Sequence, residues 1–217
     1  MSSVYPIYIK YKTLNEIPQS VFDLWEVTAR MKLSEMTEQS HYVIDKSRHL
    51  NDDDVDILHD ASHKALCDIF PDRKDKIDKL STICRFSPQS GIMPKGHMVA
   101  EHVDPEFFPT DLTIIPFTDM PFSINGEDYL FKRGEVVSYM SSLPHGIEKT
   151  QTQLIYVGIR CINPTGLYIE QLKPFFGFEE SKDVPLVKRK WKHYKNKEGW
   201  NEQQFENLKT TLRSLDE

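Results

Sequence analysis

His102 and Asp104 lie two residues apart in the run Gly96-His97-Met98-Val99-Ala100-Glu101-His102-Val103-Asp104. On an extended chain, side chains two apart point to the same face, so an imidazole and a carboxylate are offered together. A second imidazole, His145, follows in Leu143-Pro144-His145, far enough along for a few antiparallel strands to bring the chain back. Two imidazoles and one carboxylate on one face of a metal leave its opposite face open. That donor set suits Fe(II) where dioxygen and a second small molecule must both reach the metal. His102, Asp104 and His145 are therefore the candidate metal ligands and the candidate catalytic centre. His97 competes with His102, but position 99 holds Val99 and no acid. His59 and His63, one helical turn apart with Asp56 and Asp60 nearby, form a further donor pair whose simpler reading is a solvated helix face.

The elements that must position these groups are legible in the hydrophobic pattern. From 82 to 163 the apolar runs are short: TICRF, LTIIPF, FSIN, DYLF, EVVSYM and LIYVGIRCI. Turn signals separate them at Pro88, Gly91, Pro94-Lys95-Gly96, Asn125-Gly126 and Arg133-Gly134. Asn-Gly between two strand-like runs is a strong hairpin signal, and many short strands predict a sandwich, jelly roll or barrel. Before this core, residues 1–81 read as an N-terminal support region. It opens with a short alternating strand, VYPIYIKY, followed by Val21, Leu24, Trp25, Thr28, Met31 and Met36 at helical spacing. A second helix starts at Asn51-Asp52-Asp53-Asp54, good capping and first-turn chemistry. Its face is Val55, Leu58, Ala61, Ala65, Leu66 and Ile69, and it stops before Pro71. Residues 164–217 read as a C-terminal extension, loop-rich, then basic, then helical over 201–215.

Composition sets the class. With 217 residues, 39% hydrophobic and 28% charged, the chain fits one globular domain with decorations. The net charge of −6 argues against a protein that coats nucleic acid as a whole. No apolar stretch spans a bilayer and the N-terminus does not read as a signal peptide, so a cytoplasmic protein without a membrane partner is expected. Three cysteines, Cys67, Cys84 and Cys161, are an odd number without CxxC spacing, which fits a reducing compartment and buried thiols. The run Lys188 to Lys197 has six basic residues around Trp191 and Tyr194. It could stack on nucleic acid bases, although a solvated tail whose aromatics dock on the barrel is the reading preferred. The oligomeric state is not legible.

The segment FSINGEDYLFKRGEVVSYMSSLPHGIEK resembles the central hairpin and distal-histidine segment of 2-oxoglutarate/Fe(II)-dependent oxygenases, in their aspartyl/asparaginyl or prolyl hydroxylase-like branches. Gly134-Glu135 and Leu143-Pro144-His145 match that pattern, and ICRFSPQSGIMPKGHMVAEHVD resembles the family's first strand, glycine turn and H-x-D. The resemblance covers 82–163. It implies a mainly β fold with flanking helices, a double-stranded β-helix (cupin-like jelly roll), with Fe(II) as cofactor and 2-oxoglutarate as co-substrate. It also implies hydroxylation of a small molecule or a protein side chain.

That family usually sets an Arg at the start of the strand after the distal histidine, where this sequence has Thr152-Gln153-Leu154. Arg160, at the far end of LIYVGIR, is the first choice for the carboxylate clamp, and Arg85 the second. Alternation puts Leu154, Tyr156, Gly158 and Arg160 on one face and Ile155, Val157, Ile159 and Cys161 on the other. The second set suits an outer layer, so the first is expected to line the cavity, with Tyr156 offering its hydroxyl beside Arg160. The blander alternative has Arg160 emerge and pair with Glu101 or Glu170. A cupin-type metalloenzyme without 2-oxoglutarate and a non-catalytic barrel module are the rival functions.

Overall fold

A computed structural model of the chain describes residues 8–31, 42–43, 52–82, 85–102, 111–140, 144–162 and 202–214. Among these described residues, ten strands form two sheets. They are β1 (Tyr8–Thr13), β2 (Tyr42–Val43), β3 (Arg85–Met93), β4 (Val99–His102) and β5 (Asp111–Pro116), then β6 (Met120–Ile124), β7 (Glu127–Phe131), β8 (Glu135–Met140), β9 (His145–Ile147) and β10 (Leu154–Ile162). The larger sheet runs β1-β8-β5-β10-β3-β2 and the smaller β4-β9-β6-β7. From β3 onward the chain alternates between sheets, turns round in the β6–β7 hairpin, and alternates back antiparallel to its outward path. This winding is a double-stranded β-helix. The hairpin turn has φ 52° at Asn125 and 82° at Gly126, the paired positive values that a two-residue turn between right-twisted strands requires.

Among the described residues there are also four helices: α1 (Gln19–Met31), α2 (Asp52–Ile69), α3 (Lys74–Ser81) and α4 (Glu202–Ser214). Pro71 ends the run of α2 and opens a single 3-10 turn, Pro71–Arg73, from which α3 starts. Two apolar layers result. Val21, Leu24, Trp25, Ala65, Leu66, Ile69, Ile77 and Leu80 meet Phe86, Ile92, Ile115, Val136, Ile155, Val157 and Ile159 on the outer face of the larger sheet. Between the sheets, Met93, Ile114, Met120, Phe122, Ile124, Phe131, Val137, Tyr139, Ile147, Leu154 and Tyr156 fill the barrel. The period-two alternation of β10 thus has Ile155, Val157 and Ile159 toward the helices and Leu154 and Tyr156 inward.

Two expected turn signals are strand interior. Pro88 and Gly91 both lie within β3. Among the described residues, β2 pairs with Gln89 and Ser90, and Pro88 is matched with Ile159 of β10. At Gly91 the reason is packing. A Cβ there would lie 2.0 Å from the Tyr156 ring, so the ring is laid flat against bare backbone. Met36, Cys84 and the basic run 188–197 lie outside the described residues. No helix among the described residues is long and apolar enough to cross a membrane.

Candidate metal centre

His102 ends β4 and His145 opens β9, and the two are direct register partners. Their rings lie with centroids 4.4 Å apart at 52°. The local chain explains why. Val99 pairs with Ile147 and His102 with His145, so four residues of β4 oppose three of β9, and the register shifts between the two pairs. Such a bulge adds one residue and so reverses which face the following side chain takes. Without it, alternation from Val99 would set His102 on the opposite face from Ile147. With it, both imidazoles share one face. Gly146 makes this close approach sterically allowed, because a Cβ there would stand 2.7 Å from the Val99 carbonyl oxygen and 3.1 Å from the Glu101 nitrogen.

The nitrogens are also oriented. His102 Nδ1 lies 2.9 Å from the Ala100 carbonyl oxygen, which can only accept, so the ring proton sits on Nδ1. That tautomer leaves the lone pair on Nε2, the arrangement found behind metal-ligating imidazoles. His145 is 3% exposed. Tyr139 packs on it at 5.0 Å between centroids and Phe122 stacks on it at 6.2 Å and 17°. His97 takes another part. Its N–H donates to Pro94 and its carbonyl accepts from Thr150, which pins the turn after β3. Asp104 lies outside the described residues.

Arg160 is 7% exposed, so it does not emerge to the surface. It pairs with Ser87 on one side and Leu112 on the other. Leu112 in turn pairs with Tyr139, so Arg160 and the tyrosine beside His145 belong to one cross-strand row of the larger sheet. At the usual strand spacing their backbones are about 10 Å apart. Arg85, the second-choice clamp, is half exposed and reaches Asp56 of α2 at 3.4 Å.

Gln89 was not anticipated. It is 4% exposed and pairs with Gly158, on the inward face of β3 with Met93. Its Oε1 makes no hydrogen bond among the described residues. The available signal was a glutamine amid a run that is otherwise small or apolar. His59 and His63 do not act as a pair. His59 Nδ1 accepts the Phe86 N–H at 3.0 Å, whereas His63 Nε2 meets Asp78 Oδ1 at 2.8 Å.

The fold and the facing imidazoles define the molecule as a double-stranded β-helix with a nitrogen-donor pair on its smaller sheet. No protein-family model and no curated protein matches the sequence. Among solved structures, the chain is similar to an RmlC-like cupin protein from Desulfovibrio desulfuricans, at 21% identity over 35% of this chain and 71% of that one, with a TM-score of 0.30. It is similar to a conserved protein with a double-stranded β-helix domain from Klebsiella pneumoniae, at 17% identity over 37% and 70%, TM-score 0.32. A third similarity is to salicylate 1,2-dioxygenase from Pseudoaminobacter salicylatoxidans, at 13% identity over 43% of this chain and 22% of that one, TM-score 0.31.

Proposed function

We propose that this chain is an Fe(II)- and 2-oxoglutarate-dependent oxygenase that hydroxylates a small molecule or a protein side chain. The observation that carries the reading is the face-to-face setting of His102 and His145 in a barrel whose interior also holds Arg160. The donor chemistry fits iron: two imidazoles share a face, one with its tautomer set by Ala100, and Asp104 two residues on supplies the carboxylate. Bound there, Fe(II) would supply the activation of dioxygen that couples decarboxylation of 2-oxoglutarate to substrate hydroxylation.

The remaining work belongs to the chain. Arg160 clamps the far carboxylate of the co-substrate, since a planar guanidinium matches a carboxylate with two parallel hydrogen bonds. The Tyr156 hydroxyl, held inward by its seat on Gly91, adds a donor to the same group. Phe122 and Tyr139 hold the His145 ring in position and keep water from its buried side.

Purified protein reconstituted without oxygen should bind about one Fe(II) per chain. His102→Ala, Asp104→Ala and His145→Ala should each lose most of it, and His97→Ala should keep it. Arg160→Leu should fold, retain iron and raise the KM for 2-oxoglutarate in a succinate-release assay. Unchanged 2-oxoglutarate kinetics in Arg160→Leu would remove Arg160 from the account. Full iron binding with no succinate release by the wild type would favour the second reading, a cupin-type metalloenzyme without this co-substrate. The cation-free Thr152-Gln153-Leu154 entry to β10 is consistent with that reading.

A further inference from the structure

We infer that His63, Cys67 and Asp78 form a second metal site, on the helical layer, for a borderline-soft divalent cation of the zinc type. His63 and Cys67 are one turn apart on α2, so they share a face. The Pro71–Arg73 turn folds α3 back and brings Asp78 to that face. The three ligand atoms lie within 4.8 Å of one another and each residue is half-buried. Cys67 Sγ stands 3.7 Å from His63 Nε2, and that nitrogen 2.8 Å from Asp78 Oδ1.

Those distances are close to what a tetrahedral ion needs. With Zn–N and Zn–O near 2.0 Å and Zn–S near 2.3 Å, ligands sit about 3.6 Å apart for N and S and about 3.3 Å for N and O. The sulfur–nitrogen pair is already there. The imidazole–carboxylate pair must open by about 0.5 Å, which exchanges one hydrogen bond for two metal bonds.

The surroundings hold the ligands in place. Phe86 stacks behind the His63 ring at 6.3 Å and 19°. Lys74 holds the other carboxylate oxygen, Asp78 Oδ2, at 2.8 Å, which turns Oδ1 toward the histidine. The Lys74 charge opposes a cation, but one thiolate and one carboxylate neutralise a dication fully. The thiol proton leaves to solvent as the ion binds. A sulfur ligand disfavours calcium and magnesium and separates this site from the barrel centre, where His102, Asp104 and His145 offer only nitrogen and oxygen. The fourth position is left for water. A bound ion would staple α2 to α3 where both cover the barrel's outer face.

Cobalt(II) is the probe, because a cysteine ligand gives a thiolate-to-cobalt charge-transfer band that the barrel ligands cannot produce. Titrating the full-length chain should develop that band to one equivalent, and zinc should displace it. The band should vanish in Cys67→Ser and His63→Ala and persist in His102→Ala, which leaves the barrel proposal outside the result. Zinc should also raise the unfolding temperature of the wild type and not of Cys67→Ser, whose circular dichroism should match the parent. A wild type without the band, or a band that survives in Cys67→Ser, overturns the assignment.

Discussion

Gln89 carries a cost the fold does not need. A buried acceptor without a donor forfeits the hydrogen bond it would make in water, and removing it in favour of an apolar group of similar shape recovers that loss. Gln89→Met should therefore stabilise the protein by about 1 kcal/mol, read as a higher denaturant midpoint. If the Oε1 instead serves a ligand beside Arg160, the same change should weaken co-substrate or substrate binding, seen as a raised KM. Stability gained with function lost is the expected pair of results. A variant that is both less stable and fully active would show that Gln89 is only packing. Residues of this kind are hard to find in a sequence, because one glutamine in a strand has no partner pattern to announce it. The reverse holds for His102, which its two-residue spacing from Asp104 marks out in the sequence alone.

Among the elements, α2 does more than cover the sheet, because His59 fixes its distance from β3. Nδ1 accepts the N–H of Phe86, near the start of that strand, and the ring stacks on the Phe86 ring at 5.2 Å. The acceptor role requires the neutral imidazole. Burial, and after it the positive charge of Arg85, lower the His59 pKa from its ordinary value, while Asp60 and Asp56 act weakly the other way. In the unfolded chain the imidazole takes its proton near pH 6.5. In the folded chain it does so only at lower pH. The unfolded state thus binds more protons between these values, and stability must fall as pH drops from about 6.5 through the folded pKa. His59→Asn keeps an acceptor for the Phe86 N–H and removes the titration. Unfolding midpoints between about pH 7 and about pH 5 should decline less steeply in that variant, and identical slopes would refute the linkage.

Strands β1, β5, β8 and β10, the hairpin, α1, α2 and α4 were written in periodicity, Asn125-Gly126 and the acidic start of α2, whereas β3 is legible only at its start, because Pro88 and Gly91 read as turns. The short strands β4 and β9, which carry both histidines, were not. Four and three residues are too few for a hydrophobic period to show.

At the scale of the whole molecule, the chain's two flanks close on each other over the barrel. Trp25 of α1 and Phe205 of α4 stack at 5.9 Å and 8°, and the Arg30 guanidinium lies 4.8 Å above the Phe205 ring. Around them Arg30 bridges to Glu202 and Glu206, and Lys209 to Glu26 and Glu206. The exposed Arg30 pairs orient α4 more than they stabilise it. The fully buried ring is the stabilising part. Phe205→Ala should cost about 3 kcal/mol of unfolding free energy, measured in denaturant, whereas Glu202→Gln should cost well under 1 kcal/mol. Equal losses would mean that the charge network, and not the apolar contact, secures the helix. At the other flank, β1 pairs with β8 in the larger sheet, so the N-terminal region is both cover and barrel wall. Its strand was readable from VYPIYIKY. That it would reach across to EVVSYM was not, because strand partnership over such a separation depends on the closed fold and leaves no local mark.

The bulge in β4 makes the number of residues between Val99 and His102 a variable separate from their identity. A substitution at Ala100 or Glu101 leaves that number intact, and both side chains sit at the surface or partly so. Removing one of the two sets three residues of β4 against three of β9, an even ladder in which His102 still meets His145 on one face. Removing both sets His102 against Gly146, on the opposite side of the sheet from His145, with every neighbour chemically unchanged. Among sequences of this shape, the segment from Val99 to His102 should therefore drift freely in letters and admit a gap of one, whereas a lineage that lost two residues there would keep the barrel and part the two imidazoles in a single step.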